Sequence, residues 1–291
     1  MSGPPAASVR PAVGSEPSRL GPLFVRAGFG AHLAEVATFA RDRLGGQVFV
    51  AELAGEAVGA SACAWFGASG WVGGVVVAPE RRGAGLGGTL TQAAVDQLRS
   101  RGAATVLLYA TPMGLPVYLR LGFVPEGEVV TMTGPGREVP GDGSVPPEDR
   151  PAAGEAAVRA ARAEDLAAVL PLDRLASGED RERLLRALWP AGALVAGTNG
   201  ALRGFHLPSP WHSGGTTVAV DPAAGEALLR AALPAGGARL RVNLPAGNLA
   251  GARALAAAGF QEEWRTTRMR LGPPVPWRQD VQFGAHSLFW G

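Results

Sequence analysis

The strongest constraint on the fold lies in residues 71–88, where an apolar run leads into a glycine-rich turn. Residues 71–77 have the composition of a strand, and the run stops at Pro79, which has no N–H to donate to a sheet. Residues 82–88 read Arg-Gly-Ala-Gly-Leu-Gly-Gly, and the apolar positions that follow recur at the spacing of one helix face. This order predicts an anion-binding site, because N–H groups of the turn and of the helix N-terminus carry partial positive charge.

Two nucleotide-binding motifs compete for the same residues. Gly83-x-Gly85-x-x-Gly88 satisfies the dinucleotide spacing, which also needs an acidic residue about 20 positions further on, after the next strand. The next predicted strand, 105–110, carries no carboxylate, and no Lys-Ser/Thr pair follows the glycines as in a phosphate-binding loop of nucleotide hydrolases. We therefore interpret the turn as a pyrophosphate cradle of another kind.

The pattern Arg-x-x-Gly-x-Gly from Arg82, preceded by Val-Val-Val-x-Pro, resembles the coenzyme A motif of the GNAT superfamily of N-acetyltransferases. Residues 111–123, Thr-Pro-Met-Gly-Leu-Pro-Val-Tyr-Leu-Arg-Leu-Gly-Phe, are similar to the family's second helix with its tyrosine and its Gly-Phe step. The resemblance implies an acetyl-CoA cofactor. The region before the first predicted hairpin is short for this fold, which predicts that one of the usual early helices is missing or reduced.

An internal repeat extends the resemblance to the second half of the chain. Three landmarks recur in the same order: Val77-Ala78-Pro79 as Val220-Asp221-Pro222, Gly122-Phe123 as Gly259-Phe260, and Met132 as Met269. The fold class expected is α/β (α+β), with two tandem GNAT-like domains, each a mixed, mostly antiparallel sheet flanked by helices. We expect a disordered tail over 1–20, a catalytic domain over 21–133, a linker over 134–151, a second domain over 152–272 and a docking C-terminal tail over 273–291.

The second copy differs where cofactor chemistry is expected. Residues 222–227 read Pro-Ala-Ala-Gly-Glu-Ala, with no arginine, and Leu255 stands where the first copy has Tyr118. We expect the second domain to keep the fold and to have lost the cofactor site.

Roles for individual residues follow from the resemblance. It implies that the backbone of Val75, Val76 and Val77 pairs with the pantetheine arm of acetyl-CoA, and that Thr111 also contacts the cofactor. It also implies that Tyr118 is the general acid for the thiolate leaving group, a role suited to a phenol that is protonated at neutral pH. The implied pyrophosphate site consists of Arg82, Gly83, Ala84, Gly85, Leu86, Gly87 and Gly88.

Two parts of the mechanism stay open at this level. Residues 71–77 contain no ionisable side chain to act as general base, and Glu35, His32 and Glu128 are alternatives among which the sequence does not decide. A cluster in the second domain, His206, Trp211 and His212, is predicted to contribute to acceptor binding. No metal site is expected.

Composition excludes several classes of function. A formal net charge of +2 gives no general basic surface for nucleic acid, and no stretch reaches the roughly 18 apolar residues of a membrane span. A single cysteine excludes an intramolecular disulfide. We expect a cytoplasmic protein, monomeric or homodimeric. Abundant Ala, Gly and Pro with no lysine indicate a GC-rich coding genome, which we take as bacterial.

The function expected is direct acetyl transfer from acetyl-CoA to the primary amine of a small molecule. Two alternatives remain: a non-catalytic acyl-CoA-binding or assembly module, and acetylation of a protein amino terminus or side chain. The intact cradle together with Tyr118 favours an enzyme.

Overall fold

The structure is a computed structural model that describes residues 7–135, 157–198, 201–233 and 239–291. Most of the predicted linker, 136–151, therefore lies outside the described residues. The chain divides into two compact units. The first unit contains residues 1–126, 267–274 and 290, and the second contains 127–266, 275–289 and 291.

The described residues of the first half of the chain form six strands and four α-helices. The strands are β1 (Ser8–Pro11), β2 (Gln47–Leu53), β3 (Glu56–Phe66), β4 (Ser69–Val77), β5 (Thr105–Ala110) and β6 (Val124–Gly134). The helices are α1 (Gly21–Arg26), α2 (Leu33–Arg43), α3 (Leu86–Ser100) and α4 (Leu115–Arg120). Both early helices are present, and the first is reduced to six residues, as the short N-terminal region predicts.

The second half repeats this order with one addition. Its strands are β7 (Ala157–Ala160), β8 (Leu194–Thr198), β9 (Ala201–Pro208), β10 (Gly215–Ala219), β11 (Leu240–Pro245), β12 (Gln261–Leu271) and β13 (Gln282–Gly284). Its helices are α5 (Leu166–Ser177), α6 (Glu182–Leu188), α7 (Pro222–Ala232) and α8 (Leu249–Ala257). The added element is β13, which lies in the predicted docking tail.

The sheet of the first unit is mixed. Strands β1 to β4 pair antiparallel in sequence order, and β5 runs parallel to β4. The far edge of β5 pairs antiparallel with residues 267–271 of β12. One face of this sheet packs on the apolar stripe of α3, where Leu90, Ala94 and Leu98 are fully buried. The long helix thereby fixes the end of β4 from which the glycine turn leaves.

The second unit contains a five-stranded antiparallel sheet and a second ladder of strands. The sheet order is β13-β10-β9-β8-β7, and in the second ladder β6 lies between residues 261–266 of β12 and β11. Helix α7 packs its buried Leu228 and Leu229 into one core, and α5 and α6 cover a second core around Phe205. The tail does dock as an added strand, because β13 pairs with β10.

Each unit contains part of the last long strand of the other half of the sequence. Residues 267–271, from the second repeat, pair with β5 in the first unit, and most of β6, from the first repeat, pairs with β11 in the second unit. The contiguous boundaries 21–133 and 152–272 therefore do not match the compact units. The two strands share landmarks, including Met132 and Met269, so each can fill the place of the other in the fold.

The predicted disordered tail over 1–20 is wrong for the described residues 8–20. Strand β1 pairs with β2 from Ser8 opposite Glu52 to Pro11 opposite Phe49. The Arg10 guanidinium donates to both Glu16 and Glu52, and these bonds anchor a short polar strand at the sheet edge. Proline and polar residues indicated disorder, whereas the ion-pair cluster depends on partners far away in sequence.

Candidate active site

The site is built where β4 and β5 separate. The two parallel strands pair only over Ser69–Trp71 and Thr105–Leu107. Beyond Trp71, β4 continues to Val77 with its other edge held by β3. Beyond Trp71, the edge of β4 on the β5 side therefore has backbone N–H and C=O groups that β5 does not pair. Such groups need hydrogen-bond partners.

A bulge lies in this part of β4. Ala60 of β3 pairs with Val76 and Ala62 with Gly73, so two residues of β4, Gly74 and Val75, face a single residue of β3. Gly74 has φ of +59°, which favours glycine. A bulge bends its strand and redirects the backbone groups that follow, and such features are frequent beside active sites. Val75 and Val77 are half-buried, and Val76 is buried in the core.

The glycine turn has the conformation that an anion cradle requires. Gly83 and Gly85 have φ of +83° and +81°, and a Cβ added at either would meet open space. Gly85 is the N-cap of α3, whose first turn contains no acidic residue. Residues 82–85 are exposed, and Leu86, Gly87 and Gly88 are half-buried. The helix N-terminus thus opens to solvent without a carboxylate that would neutralise its dipole.

The Arg82 side chain hydrogen-bonds to the backbone on two sides of the turn. Its Nε donates to the carbonyl of Val77 at 3.2 Å, and its Nη2 donates to the carbonyl of Ala27 at 3.0 Å. The guanidinium therefore connects the end of β4 to the end of α1 while its residue stays exposed beside the glycines. These bonds give Arg82 a structural role that the motif did not indicate, and its place in a pyrophosphate site stays a prediction.

Thr111 organises the segment that follows β5. Its hydroxyl accepts a hydrogen bond from the Gly114 N–H at 3.3 Å, and its carbonyl accepts from the N–H groups of Gly114 and Leu115. Thr111 therefore supports the start of α4, the helix that carries Tyr118. The side chain is half-buried.

Tyr118 projects from α4 into the core of the first unit. Its residue is 8% exposed, and its ring packs edge-on against Phe123 with centroids 6.0 Å apart. A Cβ at Gly114 would lie 2.8 Å from the ring, so the tyrosine depends on that glycine for space. Burial raises the pKa of Tyr118 to about 12. The phenol is therefore protonated throughout the physiological pH range.

A charged cluster that sequence reasoning missed lies on the opposite face of the same sheet. Arg268 is 1% exposed, and its guanidinium lies over the Trp71 ring at 5.4 Å. Its Nε is 3.6 Å from Glu126, and the same carboxylate lies 3.0 Å from Nε of Arg270. These contacts hold residues 267–271 in the first unit. The only signal in the sequence is the Arg-Met-Arg alternation over residues 268–270.

The second unit replaces each feature of the cradle. Helix α7 is capped by Asp221, whose carboxylate accepts from the Ala224 N–H at 2.9 Å and pairs with Arg203. Gly225 is buried in the first turn of the helix. Leu255, at the position of Tyr118 in the repeat, is 1% exposed and has no hydroxyl. Asp221-Pro222 is a recognisable N-cap signature, which sequence analysis could have identified.

The predicted acceptor residues lie together in the second unit with different degrees of burial. His206 on β9 is 7% exposed, and its Nδ1 shares a hydrogen bond of 2.8 Å with the Thr217 hydroxyl. Trp211 and His212 lie in the loop before β10 and are half-buried. The Trp211 ring meets the ring of His286 edge-on at 6.3 Å. A role for the three predicted residues in acceptor binding stays a prediction.

Acidification is expected to destabilise the second unit through His206. Burial lowers its pKa to about 4. A histidine in an unfolded chain titrates near pH 6.5. Between pH 6.5 and 4, the unfolded chain therefore binds a proton at this position that the folded unit does not bind. The stabilisation is complete above pH 6.5 and is lost as the pH falls towards 4, by about 1–3 kcal/mol. Urea unfolding at pH 7 and 4.5 measures this loss.

A matched pair of variants isolates the histidine. His206→Gln should flatten the pH dependence, whereas His32→Gln, at an exposed position, should leave it as in the unaltered protein. An equal pH dependence in His206→Gln and the unaltered protein would contradict the assignment. His286 is buried completely and contributes in the same direction, since its pKa is also lowered by burial. For that reason, part of the dependence should survive in the His206 variant.

The geometry of the first unit fits a coenzyme with a pyrophosphate and an amide-containing arm. The open helix N-terminus and positive-φ glycines suit the anion, and the free edge of β4 suits the amides.

Among the described residues, no group of three or more His, Cys, Asp and Glu side chains is placed to hold a metal ion. No helix in the described ranges is long and apolar enough to cross a bilayer.

Comparisons with known proteins identify the class. Two models described as acetyltransferase (GNAT) domain match the chain, one over residues 44–125 and the other over 169–284, and together they span more than half of it. The chain belongs to the GNAT acetyltransferases and contains two GNAT domains in tandem. Members of this family use acetyl-CoA, which is therefore the cofactor of this chain, and the family supports an acyltransferase activity.

Solved structures agree on the fold over nearly the whole chain. An acetyltransferase-like protein from Pyrococcus horikoshii is 20% identical, with a TM-score of 0.79 over 98% of this chain and 96% of its own. A GCN5-related N-acetyltransferase from Sphaerobacter thermophilus is 18% identical, with a TM-score of 0.64 over 94% and 98%. A tandem GNAT protein from the clavulanic acid biosynthesis pathway is 16% identical, with a TM-score of 0.64 over 92% and 99%. No protein of curated function matches the chain significantly.

Proposed function

We propose that the chain is an acetyl-CoA-dependent N-acyltransferase that acetylates the primary amine of a small molecule, and that the first unit is its catalytic unit. The observation that carries the proposal is the presence, in this unit, of an open glycine cradle at the start of α3 together with a buried, protonated Tyr118 on α4. The second unit has neither feature, since Asp221 caps α7 and Leu255 replaces the tyrosine.

The cofactor is proposed to bind along β4 and the glycine turn. The N–H groups of residues 83–88 would hold the pyrophosphate, with Arg82 adding a cation at the edge. The backbone of Val75 to Val77 would pair with the amides of the pantetheine arm, because the edge of β4 is free beyond Trp71. Thr111 lies at the end of β5, across the gap between the strands, where its side chain can border the same arm.

Acetyl-CoA, when bound, supplies an acyl group activated as a thioester. The proposed role of Tyr118 is to hold a proton at its hydroxyl for the sulfur that leaves. Burial keeps that proton in place, because the pKa of the phenol is raised to about 12. Among the described residues, the hydroxyl has no hydrogen-bond partner from the protein, so it is free to donate to a ligand. We assign no general base: Glu35 and His32 are exposed, and Glu128 pairs with Arg265 at 2.9 Å.

A turnover screen tests the proposal. The full chain is incubated with acetyl-CoA and a panel of small primary amines, polyamines, amino sugars and short peptides, and free thiol is measured over time. The proposal predicts amine-dependent thiol release for at least one small amine. Release with peptides alone would indicate acetylation of proteins, and binding of acetyl-CoA without release for any acceptor would favour the non-catalytic alternative.

Replacing Gly85 with aspartate is expected to weaken acetyl-CoA binding at least about tenfold, or about 1.4 kcal/mol. The carboxylate would stand at the N-cap of α3, where it would repel a pyrophosphate and compete for the same N–H groups. The helix itself should remain, since aspartate is a good N-cap and tolerates the left-handed conformation of this position. Calorimetric titration with acetyl-CoA measures the affinity.

The opposite end of α3 offers the matched control. Gly102 also has a positive φ, +87°, and open space around its Cβ position. Gly102→Asp introduces the same charge and backbone strain away from the cradle, and should bind acetyl-CoA with the affinity of the unaltered protein. Equal loss of affinity in both variants would show that charge or strain, and not the cradle, governs binding.

A further inference from the structure

The second unit contains counterparts of the elements that form the cradle. Strand β10, helix α7 and strand β11 follow one another as β4, α3 and β5 do. In the first unit, β4 and β5 pair briefly and then separate. In the described residues of the second unit, β10 pairs with β9 and β13, and β11 pairs with β6. The gap between β10 and β11 is therefore the equivalent of the gap beside β4.

The C-terminal segment 279–286, hereafter the tail segment, lies in that gap. Its strand β13 runs antiparallel to β10, with Gln282 opposite Val218 and Gly284 opposite Thr217. The next residue, Ala285, bridges to β11 by donating its N–H to the carbonyl of Asn243 at 2.7 Å. The tail segment thus pairs with β10 and β11. The equivalent strand edges in the first unit are the ones proposed to bind the pantetheine arm.

A buried asparagine fastens the tail segment. Asn248 is 1% exposed and caps α8 by accepting from the Gly251 N–H at 2.7 Å. Its amide nitrogen donates to the carbonyls of Gln282 at 3.0 Å and Asp280 at 3.3 Å. The Asn248 side chain therefore hydrogen-bonds both to the start of α8 and to the tail segment. These bonds fix the position at which the tail segment docks.

Two glycines leave the space that docking of the tail segment requires, one on α7 and one in the segment itself. The Phe283 ring is 1% exposed and covers Gly225 in the first turn of α7, where a Cβ would lie 2.4 Å from the ring. A Cβ at Gly284 would lie 2.8 Å from the carbonyl oxygen of Gly215. Glycine is thus required at the contact on the helix and again on the tail segment.

The helix N-terminus next to the tail segment is also occupied by the chain itself. Asp221 places a carboxylate at the N-cap of α7, and this carboxylate also accepts a hydrogen bond from Nε of Arg203 at 2.9 Å. The corresponding cap of α3 is a glycine with no side chain. An acidic cap disfavours a second anion at the same N–H groups.

We propose that the tail segment is a built-in substitute for the cofactor in the second unit, and that this unit binds no acyl-CoA. Gln282–Gly284 occupy the strand edge and Phe283 the surface of the helix, while Asp221 occupies the anion position. The inference rests on the proposed function for the position of acetyl-CoA in the first unit. It goes further by assigning the tail segment a role as a permanent ligand of the fold.

Two variants of the full chain test this assignment by dislodging the tail segment. Gly225→Ala adds a methyl group against the Phe283 ring, and Gly284→Ala adds one against the Gly215 carbonyl. Ala223→Ser, at an exposed position in the same turn of α7, is the matched control. The first readout is the rate of trypsin cleavage after Arg278, whose N–H is bonded to the Ala176 carbonyl at 2.9 Å when the segment is docked. The second is the number of acetyl-CoA molecules bound per chain.

Both dislodging variants should be cut at least about fivefold faster than the control, because cleavage follows the population of the open form. Both should still bind a single acetyl-CoA. Binding of a second equivalent would overturn the proposal, since the tail segment would then block a working site. Unchanged cleavage in both variants would overturn it as well. The cleavage readout needs no acetyl-CoA, so failure of the unaltered protein to bind any would count against the proposed function alone.

Discussion

Replacing Tyr118 with phenylalanine is expected to lower kcat by about 10²–10⁴-fold, which corresponds to about 3–5 kcal/mol of activation free energy. The ring would remain packed against Phe123 and over Gly114, so the loss would come from the hydroxyl alone. The affinity for acetyl-CoA should stay near that of the unaltered protein, because the cradle is untouched. Steady-state kinetics at saturating acetyl-CoA and amine, together with calorimetric titration, separate the two effects.

The chain supplies its own control, since it contains two tyrosines. Tyr109 lies on β5 with its ring 4.9 Å from that of Trp71, and Tyr109→Phe should change kcat by less than about threefold. The pKa of Tyr118, about 12, also predicts that the rate will not fall through its deprotonation at any pH below about 10. A fall in kcat of less than about threefold in Tyr118→Phe would show that another group or water supplies the proton.

Replacing Arg181 with methionine is expected to destabilise the second unit by about 3–5 kcal/mol. Arg181 and Asp173 are almost fully buried and form a two-pronged ion pair, with contacts of 3.0 Å and 2.5 Å. Arg181 also donates to the Gly291 carbonyl. Removal of the cation leaves a carboxylate in the interior with neither its charge partner nor its donors. Urea unfolding at pH 7 measures the loss.

Two further variants show whether the cost arises from the unpaired charge. The double variant Asp173→Leu/Arg181→Met removes both charges and should recover most of the stability. Arg174→Met breaks the exposed pair of Arg174 with Asp180 nearby and should cost less than about 1 kcal/mol. A loss of similar size in Arg174→Met and Arg181→Met would mean that burial does not set the cost.

The glycine turn was predictable because its signal is local. Proline after a strand, glycines at positions that need positive φ, and an apolar helix face all lie within about thirty consecutive residues. The structure places the turn residues and the start of α3 as that pattern indicates, with Gly83 and Gly85 at positive φ. Tyr118 was selected by resemblance, and its catalytic role stays a prediction. Its burial and raised pKa depend on the packing of Gly114 and Phe123.

The exchange of strands between the two halves was not predictable from the sequence. Strands β6 and β12 carry equivalent landmarks, so the local pattern does not decide whether β5 pairs with one or the other. The structure pairs residues 267–271 with β5 and places Arg268 over Trp71. Strand β1 was not predicted for a related reason. Its stability comes from partners that are distant in sequence, such as Glu52.

The docking of the tail was anticipated from its apolar residues, but not its position. Phe283 and its neighbours indicated a segment that packs, and β13 does add to a sheet. That it lies between β10 and β11 depends on the separation of these strands and on the space left by Gly225, neither of which a sequence pattern reveals. The N-cap Asp221, in contrast, was readable and indicates independently that the second unit differs from the first.

A single acetyl-CoA is expected to bind to the chain, in the first unit. Calorimetric titration of the unaltered full chain with acetyl-CoA tests this most directly, because the stoichiometry does not depend on knowing the acceptor. One equivalent bound per chain is the expected result. Two equivalents would contradict the loss of the site in the second unit, and no binding at all would contradict the cradle between β4 and α3.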